Sequence, residues 1–192
     1  MPQNLRSELA PPSIRLLADA VHHVAKREND ALEEILGNSD RGSIFDVPEL
    51  AFSYLVGKEM LSQSRKRLGH EASLDWAQER SLGNGGPTDL VFRADGARPL
   101  AVEFKVSGTS PAYDADIAKL ARLDGETYDR VFCALVDAFS TTGERDQRIE
   151  KLGADQRVER IGKCAPLPAR HAGYVSDIVC IPTLWYLCDE YA

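Results

Sequence analysis

The sequence predicts an α/β fold on three observations. Apolar residues recur at helical spacing in three stretches, strand-length apolar or alternating runs lie between and beyond them, and an Asp-Gly step joins two of those runs as a hairpin. With 192 residues, 43% of them hydrophobic, the chain can bury one substantial core and reads as a single domain. Residues 1–45 form an N-terminal helical extension in this reading, 46–140 carry the motifs, and 141–192 supply a helix and a final strand.

Ser13 to Leu36 is expected to be helical through Ile14, Leu17, Val21, Val24, Leu32 and Ile35, and to stop at Gly37-Asn38. Asp40-Arg41-Gly42-Ser43 is a short loop into a second helix, Val47 to Leu61. Asp46 is its candidate N-cap, Pro48 lies in the first turn, and Phe52, Leu55, Val56 and Met60 recur on one face. Leu74 to Arg80 is the first strand, with Leu74 and Trp76 alternating against Asp75. The Gly83-Asn84-Gly85-Gly86 segment that follows has no Lys-Ser/Thr after it and reads as a connection, not a P-loop. Beyond the hairpin, Tyr113 to Leu123 is a helix with Ile117, Leu120 and Leu123 inward. Tyr128 to Phe139 is a buried strand through Val131, Phe132, Ala134, Leu135 and Val136, and Tyr174 to Ile181 is a last strand closed by Pro182.

The hairpin carries the chemistry. Its first strand holds Pro87-Thr88-Asp89 and its second Glu103-Phe104-Lys105, separated by a loop whose Asp95-Gly96 step turns the chain. A turn centred on Gly96 pairs Val91 with Ala101 and Asp89 with Glu103, and puts Leu90, Phe92, Leu100, Val102 and Phe104 on the other face. Slipping the register by one residue would mix apolar and charged groups on both faces, so the Gly96 centre is the better fit. Two carboxylates then oppose each other, with Lys105 two residues beyond Glu103 on the same face. Like charges in opposition destabilise a hairpin unless something neutralises them, and a divalent cation with oxygen ligands would do so. A neighbouring lysine can then activate water or stabilise charge growing on a phosphate. The ordinary alternative is a solvated face with a Glu103–Lys105 surface ion pair.

These residues resemble the PD-(D/E)xK phosphodiesterase superfamily. The likeness lies in the order helix with an acid, strand, P-x-D strand, E-x-K strand, helix, strand, and spans roughly Val47 to Phe139. Here Pro87 stands two places before Asp89 instead of immediately before it. The resemblance implies a restriction-endonuclease-like mixed β-sheet flanked by helices, with Asp89 and Glu103 as ligands of Mg²⁺ or Mn²⁺ and Lys105 as the catalytic lysine. It also implies a glutamate of the preceding helix as a further ligand or water-orienting group. Glu49, at the edge of that helix's apolar face, is the first candidate and Glu59 the second; an equally weighted role for Glu49 is to favour the helix dipole. In similar families an Asp-x-x-Lys-Leu helix follows the E-x-K strand, here Asp116 to Leu120. Lys119 is therefore a candidate for the substrate backbone, against an ordinary Asp116–Lys119 surface pair.

Composition complicates a nucleic-acid partner. There are 23 Lys and Arg against 30 Asp and Glu, a net charge of −7, whereas nucleic-acid binders commonly present a basic surface. Lys58, Arg65, Lys66, Arg67 and His70 cluster at the end of the second helix and could flank a phosphate backbone, with Lys58 a candidate for binding substrate. Arg145, Arg148, Lys151, Arg157, Arg160 and Lys163 recur later but are interleaved with acids, and further acids concentrate between Asp114 and Asp137. The cysteines at 133, 164, 180 and 188 show no metal spacing, and Cys133 and Cys180 read as small buried side chains. No 18-residue apolar stretch and no apolar leader core are visible, so a cytoplasmic protein without a membrane partner is expected. The expected function is a metal-dependent nuclease acting on nucleic acid, DNA favoured. The alternative is an inactive nuclease-fold protein serving as a regulatory, immunity or protein-interaction module.

Overall fold

The computed structural model describes residues 11–36, 42–68, 74–162, 164–170 and 177–188. It is a mixed α/β structure in which helices cover both faces of one open sheet. Among the described residues the α-helices are α1 (Pro12–Leu36), α2 (Glu49–Leu68), α3 (Ser110–Leu120) and α4 (Gln147–Ala154). The strands are β1 (Leu74–Ser81), β2 (Pro87–Ala94), β3 (Leu100–Val106), β4 (Asp129–Phe139), β5 (Val158–Arg160), β6 (Leu167–Ala169) and β7 (Ile178–Leu187). They lie in the order β1-β2-β3-β4-β7-β5, with β6 also on β7. Neighbours are antiparallel except β3 and β4, which run parallel with α3 in the connection between them.

Strand alternation sorts the core into two layers. Leu100, Val102 and Phe104 of β3, with Val131, Cys133 and Leu135 of β4, pack beneath α1 and α2. The intervening Ala101, Phe132, Ala134, Val136 and Ala138 face α3 and α4. Because both faces are covered, β4 is buried almost throughout and its sequence runs apolar without alternation. α1 is an integral part of the first layer through Leu17, Ala20, Val21 and Val24. Phe52 of α2 meets Phe104 edge-on, with ring centroids 5.7 Å apart, and Gly57 lets α2 approach Trp76 and Leu90, where a Cβ would lie 2.6 Å from the indole.

The structure departs from the sequence readings in four places. Ile35 is 76% exposed, because the C-terminal turns of α1 run past the edge of the core; Gly37-Asn38 lies outside the described residues. Asp46 does not cap α2. It closes a capping box with Ser43 around the 3₁₀ turn Ile44–Asp46, accepting from the Gly42 and Ser43 amides at 2.8 and 3.2 Å. Pro182 does not end the last strand, which runs from Ile178 to Leu187. Along its second edge β7 is paired by β6 over 178–180 and by β5 over 185–187, so Pro182 sits in the gap where no ladder partner needs its missing N–H. Finally, the alternative of a solvated face with a Glu103–Lys105 ion pair does not form: Glu103 is only 2% exposed beneath α3 and pairs with Lys119, while Asp89 and Lys105 stay partly exposed.

Candidate active site

The β2–β3 register is the one a Gly96-centred turn demands, with Leu90 opposite Val102, Val91 opposite Ala101 and Phe92 opposite Leu100; Gly96 has φ +74°. The ladder stops at Leu90–Val102. Beyond that point β2 stays with β1 while β3 continues with β4, so the hairpin opens. Opening exposes every second amide of β3 on the β2 side, and buried amides need acceptors. Carboxylates supply them. Asp89 Oδ2 accepts the Phe104 N–H at 2.7 Å, and Glu49 Oε2 accepts the Val106 N–H at 3.1 Å. A first-turn glutamate of α2 thus stands where strand pairing ends.

Backbone strain gathers at the same place. Glu79 (φ +46°) and Ser107 (φ +52°) are the non-glycine residues with left-handed backbone among those described. Glu79 lies at the register position opposite Asp89, where the β1–β2 ladder skips a step, and Ser107 directly follows β3. Such conformations cost roughly 1–3 kcal/mol each and concentrate at functional sites.

The side chains converge on this opening. Lys105 Nζ lies 3.1 Å from Glu49 Oε1 and 3.2 Å from Asp116 Oδ2, and Lys119 Nζ lies 2.8 Å from Glu103 Oε2 while also donating to the Pro87 carbonyl. The surface pair Asp116–Lys119 is therefore not what forms; each residue of α3 turns to a different strand residue. Lys58 is not brought to the site. It is exposed on α2, nine residues from Glu49, which places it about half a turn round and ~13 Å along the helix axis. Glu59 is also elsewhere, accepting from Gln63 and facing Arg27. Asp116 is the residue whose part in the site sequence reasoning did not assign; its signals were the Asp-x-x-Lys-Leu pattern and its place beside the apolar edge of the helix after the E-x-K strand.

Burial dominates the electrostatics. It raises the Glu103 carboxyl, with the Asp89 charge adding to it, to about 8 despite the Lys119 ammonium. Burial raises Asp89 too, opposed by the Phe104 amide, and raises Asp116 against the pull of Lys105. For Lys105 burial works against the charge, but Asp116 and Glu49 outweigh it and the ammonium is held more firmly than usual. Four carboxylates face two ammonium groups, leaving two formal negative charges unbalanced when all are ionised. Glu103 Oε1 is buried with no hydrogen-bond partner.

That orphan oxygen and the charge excess of two fit a hard divalent cation at Asp89 and Glu103. Among the described residues no three His, Cys, Asp or Glu side chains are grouped to hold a metal, so the protein would supply a partial site of the kind Mg²⁺ completes with water and phosphate oxygens. The basic residues after β4 are largely consumed internally: Arg148 binds Asp137 and Asp146, Lys151 binds Asp114, Arg157 binds Asp155, and Arg160 binds Glu144. Lys163, His70 and the Arg67 side chain lie outside the described residues. A cavity of about 570 Å³ lined by His22, His23, Gln63 and Cys164 lies between α1, α2 and the segment after β5, and holds none of the site residues. Cys133 and Cys180 are buried. Among the described residues no helix is long and apolar enough to cross a membrane. Comparison of the chain with protein-family models, curated proteins and solved structures gives no match.

Proposed function

We propose that this chain is a metal-dependent phosphodiesterase acting on nucleic acid, with DNA the favoured substrate, built as a restriction-endonuclease-like domain of the PD-(D/E)xK kind. The observation that carries the reading is the open end of the β2–β3 hairpin, where Asp89 and the buried Glu103 share one face with Lys105. Glu103 Oε1 finds no hydrogen-bond partner and the four site carboxylates outnumber the two lysines, an imbalance that a bound cation would answer.

In this reading Asp89 and Glu103 hold Mg²⁺ or Mn²⁺, which when bound polarises a phosphoryl oxygen and lowers the pKa of water. Lys105, its charged form favoured by Asp116 and Glu49 over the cost of burial, stabilises charge accumulating on the phosphate and orients the attacking water. Asp89 keeps β3 in place through the Phe104 amide while facing the same site. Lys119 neutralises half of the Glu103 carboxylate and sits at the edge where a substrate backbone would enter.

The second reading is an inactive module of the same fold that binds a protein partner. What favours it is the net charge of −7 together with the pairing of both site lysines to carboxylates. Incubating purified protein with single- and double-stranded DNA and RNA, with Mg²⁺, Mn²⁺ or chelator, separates the two. Metal-dependent cleavage lost in Asp89→Asn supports the nuclease; no cleavage of any substrate under either ion supports the module.

A further inference from the structure

We propose that Glu49 and Asp116 form a clamp that aims the Lys105 ammonium, so that Asp116 is a positioning residue of the site and Glu49 acts through the lysine instead of ligating a cation. The inference rests on the phosphodiesterase reading and assigns to α3 a part in it.

The geometry is specific. Both oxygens of Glu49 are committed, Oε1 to Lys105 Nζ at 3.1 Å and Oε2 to the Val106 amide at 3.1 Å, so its carboxylate is tied to the lysine and to the strand that carries it. Asp116 Oδ2 approaches the same ammonium at 3.2 Å from α3, on the opposite layer of the fold. Glu49 Oε1 accepts one hydrogen bond from the ammonium, while the Asp116 carboxylate contributes a charge contact, its Oδ2 being buried without a hydrogen-bond partner, so two negative groups on different elements flank the lysine head. A single structural ion pair would not need a second, partly buried carboxylate; Asp116 is 18% exposed and Lys105 23%. The stem is confined as well. A Cβ on Gly108 would lie 2.7 Å from Lys105 Cγ and 2.8 Å from Tyr113 Cε1, so the lysine stem passes closely over this glycine. Packing along the stem and charge around the head together orient the ammonium, the arrangement that lets a charge act with little reorganisation.

The test is a lysine-acetylation footprint of the full chain without metal, at one pH, using an N-hydroxysuccinimide ester of acetate and reading each lysine by mass spectrometry. Lys58, exposed on α2, is the internal reference. Asp116→Asn should raise labelling of Lys105 severalfold relative to Lys58, and Asp116→Glu should restore part of the protection. Unchanged Lys105 labelling in an Asp116→Asn protein that melts like the parent overturns the clamp. Should Asp116→Asn lose its native transition, Glu49→Gln carries the same test, with labelling expected between that of the parent and that of denatured protein; a rate equal to the denatured one overturns it. In turnover, Asp116→Asn should lower kcat by about 10–100-fold with KM little changed and the Mg²⁺-induced thermal shift retained. Looser labelling with full kcat removes the positioning role. If the parent cleaves nothing, the nuclease reading fails while the footprint still decides the clamp.

Discussion

Lys119 reaches from α3 to Glu103 on β3 and holds its Oε2 at 2.8 Å, leaving the other oxygen of a 2%-exposed carboxylate without a partner. Half of the buried acid is satisfied from within the fold, and the unsatisfied half is the reason to expect a cation.

Mg²⁺ or Mn²⁺ at millimolar concentration should raise the melting temperature, because an ion that binds only the folded arrangement stabilises it by mass action. At about 100 times its Kd the gain is about 2.7 kcal/mol. Asp89→Asn should abolish most of that shift. A differential scan showing no metal-dependent stabilisation of the parent would remove the site.

Lys105→Ala should cut cleavage by orders of magnitude if its charge acts at the phosphate, and should also lower the melting temperature, because Glu49 and Asp116 lose their shared counter-charge, so activity is compared well below both transitions. Lys105→Arg should rescue poorly, because a planar fork cannot replace a point ammonium held between Glu49 and Asp116. Full activity of Lys105→Ala at matched folding would show that cleavage takes place elsewhere.

The buried acids set a pH signature in the metal-free protein. Glu103 has its carboxyl raised from 4.5 to about 8, so between those values the folded state binds a proton that the unfolded state has released. Stability from this group is therefore full below about pH 4.5 and declines as pH rises toward 8, the sign opposite to that of an ion-paired acid. Glu103→Gln should flatten the decline and make the metal-free protein more stable than the parent at pH 8. Metal affinity should run the other way and strengthen as pH rises through 8, because cation and proton compete for Glu103. Thermal melts from pH 5 to 9 with and without Mg²⁺ check both slopes, and a parent whose metal-free stability rises over that range would contradict the assignment.

Gly108→Ala tests the space around the lysine stem. The added methyl would press on Lys105 Cγ and Tyr113, so activity should fall and the melting temperature should drop modestly. Gly153→Ala in α4 is the control: nothing lies within 4 Å of its Cβ position, and helix propensity should add roughly 0.5–1 kcal/mol. Equal behaviour of the two variants in melting and cleavage would rule out a steric role for Gly108.

Much of the fold's local layout was legible because it depends on neighbours in sequence. The Asp95-Gly96 turn and the alternation on either side of it fix the hairpin register, and with it the face shared by Asp89, Glu103 and Lys105. The helical spacing of Phe52 and Val56 located the first turns of α2 and put Glu49 among them, though the helix runs on to Leu68 where Leu61 was the expected end, and the continuous run from Val131 to Val136 marked a buried strand. Pro182 misled because its meaning depends on which short strands flank β7, and no local pattern reveals that.

Tertiary structure alone decided how the site is assembled. Glu49 meets Lys105 and Val106 from more than fifty positions away, because β2 parts from β3 and leaves amides that a carboxylate must answer. The laying of α3 over the hairpin turned an ordinary-looking i,i+3 pair into two separate contacts, Asp116 with Lys105 and Lys119 with Glu103. The sequence by itself determined which residues share a strand face, since side-chain direction follows from a two-residue period. Which of them become buried, paired or left without a partner was decided only by packing, because desolvation depends on elements that arrive from elsewhere in the chain.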